Sequence, residues 1–165
     1  TYLPPPGRGR LLAGVKGTKL IDDSYNASPI AMTATLNTLK NFPTTGRRIA
    51  VLGDMMELGT YTIDAHRAVG RLATEICDLL ITVGVRAKFI AEGASQAGLN
   101  RKKIKHFDEA RAAGQALEPL LVTGDVILIK GSQSIRLEKV VEEIMAEPDK
   151  KSELLCRQEP EWLKR

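Results

Sequence analysis

The chain has 165 residues, a net charge of +4, few aromatics (4%) and two cysteines. That length fits one domain with a core of ordinary size, and the scarcity of aromatics means an aliphatic core. Charges of both signs are interspersed without a basic stripe, which disfavours a nucleic-acid module; no segment approaches the roughly 18 apolar residues of a membrane span; Cys77 and Cys156 lack CxxC spacing and a histidine cluster, which disfavours zinc and a disulfide framework.

Residues 1–10 read as an interdomain linker. Pro4, Pro5 and Pro6 favour extended backbone and lack amide donors, and no charged segment precedes an apolar run as in a signal peptide. Segments 11–13 and 18–22 are expected to pair as a short hairpin around Gly14 and Gly17. A helix follows over 29–41. Ser28 is a good N-cap, Pro29 suits the first helical position, and Met32, Leu36 and Leu39 share one face.

Segment 48–52 is a short apolar strand stopped by Gly53, and 62–76 a helix in which Val69, Leu72, Ala73 and Ile76 repeat with helical period. His66 falls near that stripe and reads as a packing histidine. Cys77, at the end of the stripe, reads as packed rather than reactive. Strand 79–83, helix 87–97 and strand 104–107 come next, and His106 beside that strand carries no functional signal. Asp108 is expected to cap a helix running to about 120. Strand 125–129 precedes the 130–134 segment, which Ser134 would cap if it is a plain turn, then a helix over 135–146 with Leu137, Val140, Val141 and Ile144 on one stripe. Residues 148–165 form a charged tail, either loose or with a short extra helix around 151–156. Trp162 stands alone there and is assigned nothing.

Alternating strands and helices predict an α/β, Rossmann-like domain over 11–147: a mostly parallel sheet of about six strands with helices on both faces. In such sheets ligands bind at the carboxyl ends of the strands, which singles out three loops. In the first, residues 22–28, a carboxylate could take a ribose hydroxyl and Tyr25 or Asn26 could lie against a base; equally, Asp22 and Asp23 could only shape the turn. In the second, residues 53–59, Asp54 and Glu57 could hold an amine, or the loop could be a solvated connection. In the third, residues 130–134, Lys130 could meet a phosphate or carboxylate where Gly131 lets backbone approach, or the segment could be a plain turn. The chain has no G-x-x-x-x-G-K-[ST] phosphate cradle, no G-x-G-x-x-G after a strand, no nucleophile elbow and no metal-ligand cluster.

The blocks LIDDSYNASP (20–29), AVLGDMMELG (50–59) with HRAVG (66–70), and VILIKGS (126–132) with EKVV (138–141) occur in this order. Together they resemble the C-terminal domain of the Mur ligases, and within that family the branch that adds D-alanyl-D-alanine. The resemblance runs from about residue 6 to 145. It implies a bacterial cytoplasmic, ADP-forming amide ligase of peptidoglycan synthesis. Such an enzyme joins D-alanyl-D-alanine to UDP-N-acetylmuramoyl-tripeptide through an acyl phosphate, using ATP and Mg2+. It also implies partner domains upstream: an N-terminal one for the UDP-sugar peptide, and a central one with the phosphate loop and Mg2+. This domain would close over ATP, and alone it should lack the machinery to catalyse, with no catalytic residue and no metal ligand of its own.

By position, the resemblance makes Arg8, Asp23, Tyr25 and Asn26 nucleotide-binding: Arg8 on the phosphates, Asp23 on the ribose, Tyr25 and Asn26 beside the adenine. Asp54, Glu57, Lys130, Gly131 and Ser132 would border the dipeptide. Gln133 stands where that branch commonly has arginine. Two other readings are a stand-alone nucleotide-binding or regulatory domain, and the lid of a related muramyl-adding or folate-polyglutamylating ligase. The 22–26 and 53–59 blocks disfavour the latter.

Overall fold

A computed structural model describes residues 2–165; Thr1, at the start of the expected linker, lies outside them. Six strands form one sheet: β1 (Arg10–Ala13), β2 (Lys19–Asp23), β3 (Arg48–Gly53), β4 (Leu79–Val83), β5 (Ile104–Phe107) and β6 (Val126–Lys130). Their order across the sheet is β1-β2-β6-β3-β4-β5. Strand β1 pairs antiparallel with β2, and every other pairing is parallel. The α/β class, the mostly parallel sheet and the N-terminal hairpin are as the sequence predicts.

The central strands are apolar on both sides because helices cover both sides. Helices α1 (Pro29–Asn41), α2 (Thr62–Thr74) and α3 (Lys88–Gln96) pack on one face over Ala50, Leu52, Val126 and Leu128. Helices α4 (Ala110–Leu117) and α5 (Glu138–Ile144) pack on the other over Ile49, Val51, Ile127 and Ile129. Helix α1 begins as expected, with the Ser28 hydroxyl accepting the Ala31 N–H at 3.2 Å and Pro29 in the first turn. Helices α2 and α3 touch backbone to backbone. A methyl at Gly70 would overlap the Ile90 carbonyl oxygen, and one at Gly93 would overlap the Arg67 carbonyl oxygen.

Three local expectations fail for physical reasons. Asp108 does not cap α4; that helix starts two residues later behind Glu109, without a side-chain cap. It ends at Leu117 because Pro119 follows, and 118–120 tighten into a 3-10 turn. Ser134 does not cap α5 either. Residues 133–135 form a 3-10 turn, Arg136 takes a left-handed φ of 60°, and α5 opens only at Glu138. Asp125 stays outside β6, where its buried carboxylate binds Arg47 (2.7 and 3.1 Å) and the Val122 N–H (2.9 Å). After α5, two short helices form, α6 (Lys151–Leu154) and α7 (Pro160–Leu163). Leu155, Cys156 and Arg157 are buried between them. Of the two expectations for this end, the short helix is the one that occurs.

Candidate functional site

Strand β6 lies between β2 and β3, and the registers Asp23↔Lys130 and Leu52↔Lys130 bring all three strand ends level. The 22–28, 53–59 and 130–134 loops therefore leave one edge of the sheet from adjacent parallel strands. This is the carboxyl edge, where α/β sheets bind ligands.

A cavity of about 240 Å³ sits over the end of β2. Arg8, Asp23, Tyr25, Asn26 and Lys130 line it, with the start of α1 beneath. Lys130 Nζ donates to Asp23 Oδ2 at 2.7 Å and to the Asn26 carbonyl at 2.9 Å. The Thr35 hydroxyl, in the second turn of α1, donates to the same Asp23 oxygen at 2.8 Å. The Arg8 guanidinium lies over the Tyr25 ring, 4.0 Å from its centroid. The Tyr25 N–H binds the Gly7 carbonyl at 2.9 Å. Gly7 has φ +75°, and a methyl there would come within 2.9 Å of Cys156 Sγ and 3.2 Å of Tyr25. Only glycine lets the incoming segment pass this close.

The structure thus gathers the four residues singled out for a nucleotide and adds Lys130 and Thr35 to them. A carboxylate, an aromatic face and two cations around one cavity fit a nucleotide chemically. The carboxylate can take a ribose hydroxyl, the ring a base, and the cations a phosphate. Thr35 carried no sequence signal, since a threonine inside a helix ordinarily bonds back to the preceding turn; here its single hydroxyl proton is shared between Asp23 and the Ala31 carbonyl, 2.9 Å away.

A second groove, about 700 Å³, runs between the three loops, bordered by Asn26, Glu57, Ser132, Gln133, Trp162 and Arg165. Glu57 is exposed and holds a left-handed φ of 61°. Ser132 is buried, with its hydroxyl 3.3 Å from that of Ser134. Asp54 faces elsewhere. It is buried, accepts the N–H groups of Arg86 (2.9 Å) and Ala87 (2.7 Å), and so caps the approach to α3. Its carbonyl accepts the Ser132 N–H at 2.9 Å, tying the second loop to the third. Gly131 serves the same contact, since a methyl there would meet Gly53 Cα at 3.0 Å and Leu137 at 2.8 Å.

His66 is fully buried, as a packing histidine would be, and it latches the second loop. Its Nε2 accepts the Met55 N–H at 3.0 Å, so Nδ1 carries the proton toward the Thr62 carbonyl at 2.6 Å. Burial holds its pKa below the ordinary value. Asp22, next to Asp23, is wholly buried and takes both the hydroxyl (2.6 Å) and N–H (3.2 Å) of Ser24 on Oδ1. Desolvation lifts its pKa to about 6 against the lowering by those bonds. Trp162, to which the sequence assigned nothing, walls the groove, with the Arg165 guanidinium 4.9 Å from its ring. Among the described residues, no group of three or more His, Cys, Asp or Glu side chains is placed to hold a metal ion, and no helix is long and apolar enough to cross a membrane.

The chain matches the family described as "Mur ligase, glutamate ligase domain" over residues 7–133. It is 32% identical to the UDP-N-acetylmuramoyl-tripeptide--D-alanyl-D-alanine ligase of Bacillus subtilis, over 86% of this chain and 31% of that protein. To the Escherichia coli enzyme of the same name it is 36% identical, over 82% of this chain and 29% of that protein. The MurF ligase of Thermotoga maritima, solved in complex with ADP, superposes with a TM-score of 0.73 at 29% identity, over 92% of this chain and 33% of that one. The chain thus spans about a third of the length of the relatives it matches. E. coli FolC, at 19% identity and a TM-score of 0.61, shares the fold. With the family match covering most of its length, and a six-stranded, mostly parallel α/β sheet in agreement with it, this chain belongs to the Mur ligase family, of which it carries the C-terminal domain.

Proposed function

We propose that this chain is the closing domain of an ATP-dependent ligase that joins D-alanyl-D-alanine to UDP-N-acetylmuramoyl-tripeptide in the bacterial cytoplasm. The observation that carries the reading is the shared sheet edge. One cavity there suits a nucleotide, and the neighbouring groove, with an exposed carboxylate at Glu57 and a cation at Arg165, suits a zwitterionic peptide. The names of the relatives supply the substrates, and the ADP-bound neighbour supports the nucleotide.

In this reading Asp23, held by Lys130 and Thr35, accepts a ribose hydroxyl. Tyr25 and Asn26 border the base, and Arg8 leaves the Tyr25 face to reach the phosphates. ATP, with Mg2+ held by a central domain, supplies the phosphoryl group that activates the tripeptide carboxylate. Glu57 and Ser132 border the incoming amine. Closing the domain keeps water from the acyl phosphate until the amine attacks. Its own contribution is positioning rather than proton transfer, so the chain without its partner domains turns nothing over.

The test is made on the full-length ligase containing this chain, supplied with ATP, UDP-N-acetylmuramoyl-tripeptide and D-alanyl-D-alanine. ADP release that depends on the dipeptide, and that falls in Asp23→Ala, is expected. Release that depends on glutamate instead would overturn the substrate assignment.

A further inference from the structure

The last 18 residues fold back under the first loop. Arg157 is 5% exposed and has a left-handed φ of 56°. Its guanidinium donates to the Ser24 carbonyl at 2.8 Å, the Tyr25 carbonyl at 3.1 Å and Glu138 Oε2 at 2.6 Å. Glu138 is 1% exposed at the start of α5, and its other oxygen accepts from Arg136 Nε. Cys156 lies beside Arg157 against the same turn, its Sγ 3.8 Å from Ser24 Oγ.

Two carbonyls and one carboxylate thus converge on one guanidinium. Arginine's planar fork can serve all three at once, whereas a lysine ammonium has neither the reach nor the fixed geometry. The partners are the two residues between the candidate ribose carboxylate, Asp23, and Asn26. Both carbonyls belong to the turn that carries the Tyr25 ring into the cavity. The Arg157 guanidinium also lies 5.7 Å from the ring centroid, while Arg8 lies at 4.0 Å. Glu138 opens the EKVV block (138–141) of the family resemblance, whereas Arg157 lies beyond residue 145, where that resemblance ends. The C-terminal segment thus supplies the guanidinium, and α5 supplies its anchor.

We propose that Arg157, anchored by Glu138, is a positioning residue that fixes the 23–26 turn in its nucleotide-binding shape, which makes the C-terminal segment part of the nucleotide site. The proposal rests on the nucleotide reading above. It requires that loosening Arg157 weaken nucleotide binding more than dipeptide binding, and more than an equal loss of stability elsewhere does.

In the full-length ligase, Arg157→Ala and Arg157→Lys are compared with Leu117→Ala, a core truncation in α4 that serves as a stability control. Both Arg157 variants are expected to raise KM for ATP about tenfold, with KM for the dipeptide changed less than about twofold. Leu117→Ala is expected to lower Tm without that split. Hydrogen exchange should quicken at the 22–28 amides in the Arg157 variants, and not in Leu117→Ala. If Arg157→Ala does not fold, the Lys variant carries the comparison. An unchanged KM for ATP, or unchanged exchange at 22–28, in a folded Arg157 variant overturns the proposal. A wild-type enzyme that releases no dipeptide-dependent ADP overturns the ligase reading instead, and the exchange result then still decides whether Arg157 holds the turn.

Discussion

Replacing Asp22 by Asn should stabilise the domain at neutral pH and leave it unchanged in acid. Asp22 is wholly buried, and burial raises its pKa from the ordinary 3.8 to about 6 despite the two Ser24 hydrogen bonds that favour the charged form. Its Oδ2 has no hydrogen-bond partner among the described residues. A carboxyl whose folded pKa lies above its unfolded one contributes most when both states are protonated. That contribution is lost as pH rises from the unfolded value through the folded one. At about 1.4 kcal/mol per pH unit, the interval from 3.8 to about 6 is worth about 3 kcal/mol above pH 7. Asn keeps the oxygen that accepts from Ser24 and never ionises. The difference between variant and wild type should therefore be near zero at pH 3.5, grow between pH 4 and 6, and level off at about 3 kcal/mol. His66 contributes with the opposite sign, since burial holds its pKa below the ordinary value and such a histidine costs stability as pH falls. It is present in both proteins and cancels from the difference. Urea unfolding of both proteins from pH 3.5 to 8 measures the curve. A variant less stable than wild type at pH 8, or a difference independent of pH, would refute the argument that Asp22 is a desolvated acid.

Asp125→Ala should act in the opposite sense. Burial pushes this carboxyl up, but the bonds from Arg47 and the Val122 N–H outweigh that and hold its pKa below the ordinary value. Its stabilisation is present above the ordinary carboxylate range and lost as pH falls below it, so the variant should lose about 1–3 kcal/mol at pH 7 and little at pH 2.5, again by urea unfolding. Gly70→Ala should cost more than about 2 kcal/mol, because the neighbour the methyl would strike is backbone of α3 and cannot turn aside; a thermal melt with Tm unchanged would refute the close α2–α3 contact. Both thiols should be inert in the folded chain, since burial pushes Cys77 to about 12 and Cys156 to about 11, and Cys77 should label with iodoacetamide only under denaturant.

The fold was legible because local and global signals agreed. Ser28-Pro29 marks the start of α1, and the apolar residues within the expected strands 79–83 and 125–129 mark strands covered on both faces. Legibility failed where a long-range partner outbid a local one. Asp125 reads as the first residue of a strand, but it sits buried because Arg47, 78 residues away in sequence, meets it there. Asp54 reads as a free carboxylate between glycines, but the amides of Arg86 and Ala87 claim it. The C-terminal segment has little apolar periodicity to read. Three consecutive buried residues, Leu155, Cys156 and Arg157, hold it through side chains of unlike chemistry, and no repeat announces that.

The division of the site between its two ligands was harder to read than the loops themselves, and strand parity explains why. In the parallel pairing of β2 with β6, register partners point to the same face, and the face alternates at each residue. Ile21, Val126 and Leu128 face α1, so Asp23 and Lys130 face α1 together and form an ion pair over its first turns. Leu20, Ile127 and Ile129 face α5, so Asp22 points the other way, to the side where Glu138 is buried. Adjacent aspartates thus end in opposite environments, one at the cavity and one sealed beneath it. Lys130 leaves its sequence neighbours Gly131 and Ser132, which lie against the second loop, and joins the first. A strand apolar on both faces carries no alternation of hydrophobicity, so the sequence offers nothing to tell which of Asp22 and Asp23 reaches solvent. That choice is made by the register with β6, more than a hundred residues further along the chain.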